Sequence, residues 1–422
     1  MNPLKKKYVK PHYSRNVTIA LTVVLAVLVV VLAVVIALQA RQARAERGEL
    51  PSAAQQADVA PTPELDPAAA EAQAAAEAAR TEEDAAKRAA EAEKLSAYQK
   101  LAKGYDVKML VMGDSVIDGT GASAEDKTWY AQLEKHINEK YTASTGAAFT
   151  VEIAAGPGHS LFPDLMSVRE GDLASDCDLA VLCYGNEDAV LGFGPYYEVL
   201  VRSILEKNPD CSIIFVLEAT EGGHSERMVD AEGISAYYSI PVADTFGPYY
   251  ALGMKGFFGA FADGVHPNDQ GHGIYFDAIS AAIDDAVAAD AGKHELLEPS
   301  SEQAKRFENI EYIPVSEFTR VDDISYSVEY LNDDKTPRTI MVDCGFDINR
   351  DNTKVIADDI LYNLPRGTGI HDTVNGDRYL FTASTELVVT KSLGVRLKDK
   401  TLADDFNGVY LIWQTPEETE TK

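Results

Sequence analysis

The sequence predicts an α/β domain built on a parallel sheet, with a long apolar segment ahead of it and a β-rich domain behind it. Three observations carry this expectation. Short apolar runs such as Leu179 to Tyr184 and Ser212 to Leu217 alternate with amphipathic helical stretches, the order expected when crossover helices bury strands on both faces. Beyond about Arg306 the helical period disappears, and strand-like runs separated by turn residues replace it. Residues 17 to 38 contain no charged side chain.

A chain of 422 residues allows about two or three structural units, and 46% apolar residues suffice for a sizeable core. The formal net charge of -29 is unevenly spread, because residues 1 to 16 hold Lys5, Lys6, Lys7, Lys10 and Arg15 with no acid. So acidic a body is repelled by phosphates, which removes nucleic acid as a partner. The same charge favours solubility.

At about 1.5 Å per residue, an uncharged helix over residues 17 to 38 spans the roughly 30 Å hydrocarbon core. We therefore expect a transmembrane signal anchor at 17–38, a cytoplasmic basic tail at 1–16, and the rest of the chain outside the cytoplasm. Cleavage near Ala40 or Ala43 is the competing reading, but the run exceeds the about 7 to 15 apolar residues of a secretory signal. Residues 39–104 follow as a linker. Pro51, Pro61, Pro63 and Pro67 punctuate its first part, and an Ala/Glu-rich helical stalk of about 33 residues completes it.

The α/β domain is expected over 105–292 and turns on the stretch Val107 to Asp118. Val107, Met109, Leu110, Val111 and Met112 read as a buried strand that stops at Gly113-Asp114-Ser115. The stop places a small hydroxyl at the carboxyl edge of the sheet, where open α/β folds bind ligands. Further strands are expected at Phe149 to Ile153 and around Pro241 to Ala243, with helices at Thr128 to Tyr141, Tyr196 to Glu206 and Asp269 to Ala288. Three other segments belong to the same edge. Gly156 and Gly158 let backbone approach a ligand closely, Tyr184-Gly185-Asn186-Glu187-Asp188 follows the third strand, and Asp263-Gly264-Val265-His266 precedes the last helix. Asp and His three residues apart ahead of a helix can set an imidazole beside a serine and a carboxylate behind it, the geometry of a nucleophilic triad.

On these four segments, which occur in family order, the domain resembles the SGNH hydrolases, the GDSL-type esterases and lipases. The resemblance implies a three-layer α/β/α sandwich with a five-stranded parallel sheet of flavodoxin-like type. It implies an ester hydrolase with Ser115 as nucleophile, His266 as general base and Asp263 as the group that orients the imidazole. The oxyanion hole would be the backbone amides of Ser115 and Gly158 with the side-chain amide of a third-block Asn. Here the chain departs from the family, which reads Gly, any residue, Asn, Asp, so that Glu187 occupies the Asn position. Asn186 is taken as the donor through a shift of one residue, with a protonated Glu187 or a weakened site as the alternatives. The Asn that often precedes the second block is also replaced, around Ile153.

Other residues invite assignments. Tyr249, Tyr250, Phe257 and Phe258, just before Asp263, either wall an acyl or sugar pocket or pack a core. His272 lacks the companion ligands of a metal site, so neither metal nor cofactor is expected. His159 and His224 either border the pocket or lie on the surface. Cys183 reads as a buried thiol, and Cys177 and Cys211, each just before a strand, can pair if those strands are neighbours. Residues 300–418 are expected to form a small β-sandwich that binds polymer, covers the active-site face, or is purely architectural. The function expected is a membrane-anchored extracytoplasmic serine esterase that removes acetyl or another short acyl group from a carbohydrate. An O-acyltransferase on cell-envelope polysaccharide and a catalytically degenerate glycan-binding protein are the alternatives, and oligomeric state stays open.

Overall fold

The computed structural model describes residues 67–186, 192–219, 223–332, 335–345, 353–364, 369–383, 385–398, 400–401 and 403–415. The expected membrane segment 17–38 lies outside them, and among the described residues no helix is long and apolar enough to cross a membrane. The chain divides into two compact units, residues 1–80 and 81–422.

The Ala/Glu-rich stretch forms helix α1 (Pro67–Ala92), which stops short of the predicted length. Ser96 then starts α2 (Ala97–Ala102) with a capping box closed by Gln99. Tyr98 and Leu101 of α2 are fully buried, so this helix is core although the sequence reading leaves it in the stalk. The strands β1 (Val107–Gly113), β2 (Phe149–Ala155), β3 (Leu179–Cys183), β4 (Ser212–Leu217) and β5 (Val242–Asp244) make one parallel sheet in the order β2-β1-β3-β4-β5. Helices α3 (Trp129–Ile137) and α9 (Asp269–Ala288) cover one face together with α2. Helices α4 (Leu161–Glu170), α5 (Phe193–Lys207) and α6 (Glu226–Tyr238) cover the other. Two short helices, α7 (Phe246–Ala251) and α8 (Gly253–Gly259), lead into the Asp263 loop.

The apolar runs read as strands because both of their faces are buried. Met109 and Val111 of β1 enter one core and Leu110 and Met112 the other, as the period of two requires. The chain moves from β1 to β2 in one direction and from β2 through β3, β4 and β5 in the other. The reversal puts β1 at the topological switch point, where such sheets bind ligands at their carboxyl ends.

The C-terminal region holds two antiparallel sheets. One is formed by β6 (Asn309–Pro314), β9 (Thr339–Cys344), β12 (Gly369–Asp372), β13 (Arg378–Thr382) and β15 (Phe406–Trp413). The other contains β7 (Thr319–Arg320), β8 (Ser325–Glu329), β10 (Lys354–Ala357), β11 (Ile360–Asn363) and β14 (Ser392–Arg396). Ile340, Val342, Val409 and Leu411 fill the core with the second sheet, while Met341, Tyr410 and Ile412 point the opposite way and join the core of the α/β body. Phe162 of α4 meets Tyr410 edge to face at 5.2 Å between ring centroids. The sandwich therefore shares a core with the α/β layers.

Within the sandwich Arg378 is a partly buried cation held by two buried carboxylates. Its guanidinium lies 2.8 Å from Asp343 and 2.8 Å from Asp372, whose side chains are 1% and 0% exposed. Removing one member leaves an uncompensated buried charge, so Arg378→Leu should destabilise the protein by about 3 kcal/mol or more in chemical denaturation. An unfolding midpoint within error of wild type would show that the carboxylates find other partners.

The four cysteines are free and buried. Because β3 and β4 are neighbours, the Cys177 and Cys211 sulfurs approach to 3.5 Å as thiols. Diamide treatment of the folded protein should block alkylation of these two thiols together and leave Cys183 and Cys344 free. Separate reactivity of Cys177 and Cys211 would contradict that pairing.

Candidate active site

Ser115 is the second residue after β1 and is 4% exposed. The turn that presents it is built by Asp114, whose fully buried carboxylate accepts the Val116 N–H at 2.9 Å and the Asn186 N–H at 3.1 Å. One carboxylate thus ties the serine turn to the loop after β3. Further along, the Trp129 indole N–H donates to the Ile117 carbonyl at 2.8 Å and clamps the outgoing chain.

The Asp263 to His266 loop reaches the same place from the far side of the sequence. Residues Phe261 and Pro267 form an isolated bridge across its neck, and Asn268 caps α9 through the Gln270 and Gly271 amides. Within the loop Asp263 Oδ1 accepts the backbone N–H groups of Val265 at 3.0 Å and His266 at 2.9 Å. Its Oδ2 lies 2.7 Å from His266 Nδ1, and His266 Nε2 lies 3.0 Å from Ser115 Oγ. These bonds, the His266 side-chain contact foremost, hold the Asp263 carboxyl well below the usual carboxylate range. An ionised carboxylate only accepts, so Nδ1 carries the proton and Nε2 is left to accept the Ser115 hydroxyl. That tautomer is the one a general base toward the serine requires.

The second glycine segment forms a turn closed by the His159 N–H on the Gly156 carbonyl at 3.1 Å. Gly158 sits in this turn at φ +88°, where a side chain is strained, and a Cβ there would lie 1.8 Å from Thr373 Oγ1. Thr373 comes from the β-sandwich. Its hydroxyl donates to the Pro157 carbonyl at 3.1 Å, and Asn375 Nδ2 donates to the Pro163 carbonyl at 3.0 Å. The sandwich therefore lies against the flank of the body at α4 and backs the Gly158 turn, a contact that no motif in the sequence announces.

Asn186 stands exposed at the end of β3, and Glu187 lies outside the described residues. The aromatic segment divides by burial. Tyr249 and Phe257 belong to the core, while Tyr250 and Phe258 are 67% and 46% exposed. His272 is buried in α9 with Nε2 donating to the Thr120 carbonyl at 3.3 Å, and burial lowers its basicity. Among the described residues no group of three or more His, Cys, Asp or Glu could hold a metal ion. His224 pairs with Glu232 at 3.0 Å. His159 has a second His–Asp contact, Nδ1 to Asp164 Oδ1 at 2.7 Å, in the turn that contains Gly158.

No protein-family model matches the sequence. No curated protein matches it either. Among solved structures it is similar to a two-domain esterase active on acetylated mannans, co-crystallised with mannopentaose, at TM-score 0.55 and 14% identity over 75% of this chain and 94% of that one. A further crystal structure of a two-domain esterase active on acetylated mannans gives TM-score 0.55 and 15% identity over the same shares. A family 3 carbohydrate esterase from Clostridium thermocellum is similar at TM-score 0.35 and 13% identity, over 44% of this chain and 100% of that one. The fold is thus that of a two-domain protein, since residues 97–289 alone cannot supply the 75% share.

The hydrogen-bonded chain makes a prediction about Ser115 that needs no substrate. A fluorophosphonate probe should label Ser115, and Asp263→Asn should slow labelling by about 100-fold or more, because an amide can donate to Nδ1 and reverse the tautomer. Equal labelling rates would show that Asp263 does not activate the serine.

Proposed function

We propose that the protein is a serine-dependent carboxylic ester hydrolase that removes acetyl or another short acyl group from a carbohydrate. The observation that carries this is the continuous chain from Asp263 through His266 to Ser115 Oγ at the switch point of the sheet. As the Ser115 oxygen attacks an ester carbonyl carbon, its proton passes to His266 Nε2, and the resulting imidazolium is stabilised by Asp263. The carbonyl π pair moves to oxygen, and collapse expels the sugar alkoxide, which takes the proton from Nε2. Water, deprotonated by the same imidazole, then attacks the acyl carbon, the bond to Ser115 Oγ breaks as the carboxylic acid leaves, and Oγ takes back the proton from Nε2. The backbone amides of Ser115 and Gly158 and the side chain of Asn186 are assigned to the developing oxyanion. Each such donor is worth about 100 to 1000-fold in rate.

Support for a carbohydrate substrate comes from the two-domain esterase of the same fold, which acts on acetylated mannans. The likeness covers 94% of that two-domain chain. We further assign residues 17–38 as a membrane anchor that holds the catalytic body outside the cytoplasm. An uncharged run behind five basic residues supports this placement.

The test is release of acetate from acetylated manno-oligosaccharides, and of nitrophenol from para-nitrophenyl acetate, beside the Ser115→Ala variant. We expect wild-type turnover of both and none above buffer for Ser115→Ala with unchanged thermal unfolding. Turnover that survives the substitution would refute the nucleophile. Turnover of the nitrophenyl ester alone, across a panel of acetylated glycans, would refute the carbohydrate.

A further inference from the structure

Behind the Gly158 turn lies a largely buried network that the triad does not use. His159 follows Gly158 directly, and its Nδ1 lies 2.7 Å from Asp164 Oδ1. The other Asp164 oxygen accepts the Tyr184 hydroxyl at 2.6 Å. Asp164 is on α4 and 0% exposed, and Tyr184 directly precedes Gly185 at the end of β3. A single buried carboxylate thus connects the loop after β2 to the loop after β3. These are the loops of Gly158 and Asn186, on either side of the strand that carries Ser115.

We propose that His159, held by Asp164, whose other oxygen Tyr184 engages, is a positioning residue for ester hydrolysis, setting the Gly158 amide for the oxyanion and holding it less firmly once its imidazole is neutral and donates to Asp164 without the help of charge. The proposal rests on the esterase assignment and deepens it. The His159 N–H closes the turn on the Gly156 carbonyl at 3.1 Å while its ring is anchored on Asp164, so the Gly158 amide lies between two fixed points of the loop. The groups facing the ring are Asp164 from α4, Asp118 from the loop after β1 and Asp372 from the end of β12, where Arg378 is already paired. Burial alone would pull the imidazole down, but the hydrogen bond and charge of Asp164, with Asp372 and Asp118 behind it, hold it above its ordinary value. For a base whose folded-state value is raised, the charged contact is complete at low pH and is lost as pH rises through that raised value. Its effect therefore belongs to the alkaline side of the activity profile.

The test compares kcat and KM against pH for the full chain, His159→Gln and His159→Leu, each with a thermal unfolding control and with Ser115→Ala as the zero of activity. Gln keeps an N–H toward Asp164 and does not titrate. We expect wild-type kcat to fall at alkaline pH, His159→Gln to retain activity without that fall, and His159→Leu to lose about 100-fold in kcat with KM little changed. A His159→Gln profile that superimposes on wild type would overturn the proposal, as would a loss confined to KM. Absence of any Ser115-dependent turnover in the wild-type chain would instead sink the esterase assignment and this proposal with it, so the two failures are distinguishable.

Discussion

The candidate site depends on the level at which three parallel strands end. Gly113, the last residue of β1, pairs in register with Ala155 of β2 on one side and Cys183 of β3 on the other. All three loops therefore leave the sheet at one height, and Ser115 emerges between the two that flank it. The register is tight. A Cβ at Gly113 would lie 2.2 Å from the Cys183 carbonyl oxygen, so the approach of β3 requires glycine there. The Gly113 carbonyl in turn accepts the Gly156 N–H at 3.3 Å, which carries the β1–β2 ladder into the Gly158 turn. Parallel pairing buried on both faces has no solvent to absorb a slip, and the apolar period of two penalises one.

The second domain is bound to this arrangement by core burial as well as by polar contact. In an antiparallel sandwich one sheet face is ordinarily solvated, and strands alternate apolar with polar residues. Here β15 reads Val409-Tyr410-Leu411-Ile412 because Val409 and Leu411 face the other sheet while Tyr410 and Ile412 face α4 and α5 of the body. The same helix α4 supplies Asp164 toward the site, so the element that the sandwich braces is also the one that holds His159. Thr373 and Asn375 complete this brace at the Gly158 turn and at Pro163.

Much of this was readable from residues alone, and the remainder was not for identifiable reasons. Strands β1, β3 and β4 stood out because burial on both faces erases polar alternation, and Ser115, Asp263 and His266 because turn chemistry and spacing mark them. Helix α4 was missed because most of its residues are buried, Asp164 among them, leaving little of the polar face that helical periodicity needs. Helix α6 carries Gly233 and a weak apolar stripe, and it was passed over for a related reason. The role of Thr373 is a contact between segments more than two hundred residues apart and has no local signature. The division of the aromatic segment into buried Tyr249 and Phe257 and exposed Tyr250 and Phe258 is likewise a matter of tertiary packing, which composition does not encode.

Two His–Asp pairs lie at this edge, and their surroundings give them different characters. Asp263 is 54% exposed at its side chain, yet its carboxyl is held low by the His266 side chain and two backbone N–H groups from its own loop. It stays an acceptor, and His266 keeps a free ring nitrogen for Ser115. Asp164 is fully buried, and burial raises its carboxyl despite the His159 and Tyr184 hydrogen bonds that oppose the rise. That carboxylate is tolerable only while a cation or donors stand beside it, so charge on His159 and charge on Asp164 sustain one another. The two imidazoles are alike in exposure, 21% for His266 and 19% for His159, so it is the exposed, backbone-organised carboxylate that suits an imidazole cycling its proton. An imidazole beside a buried carboxylate suits a positioning task, and the 2.7 Å distances of the two contacts alone do not tell them apart. Environment does, as it does wherever one residue type is asked to serve two purposes in a single site.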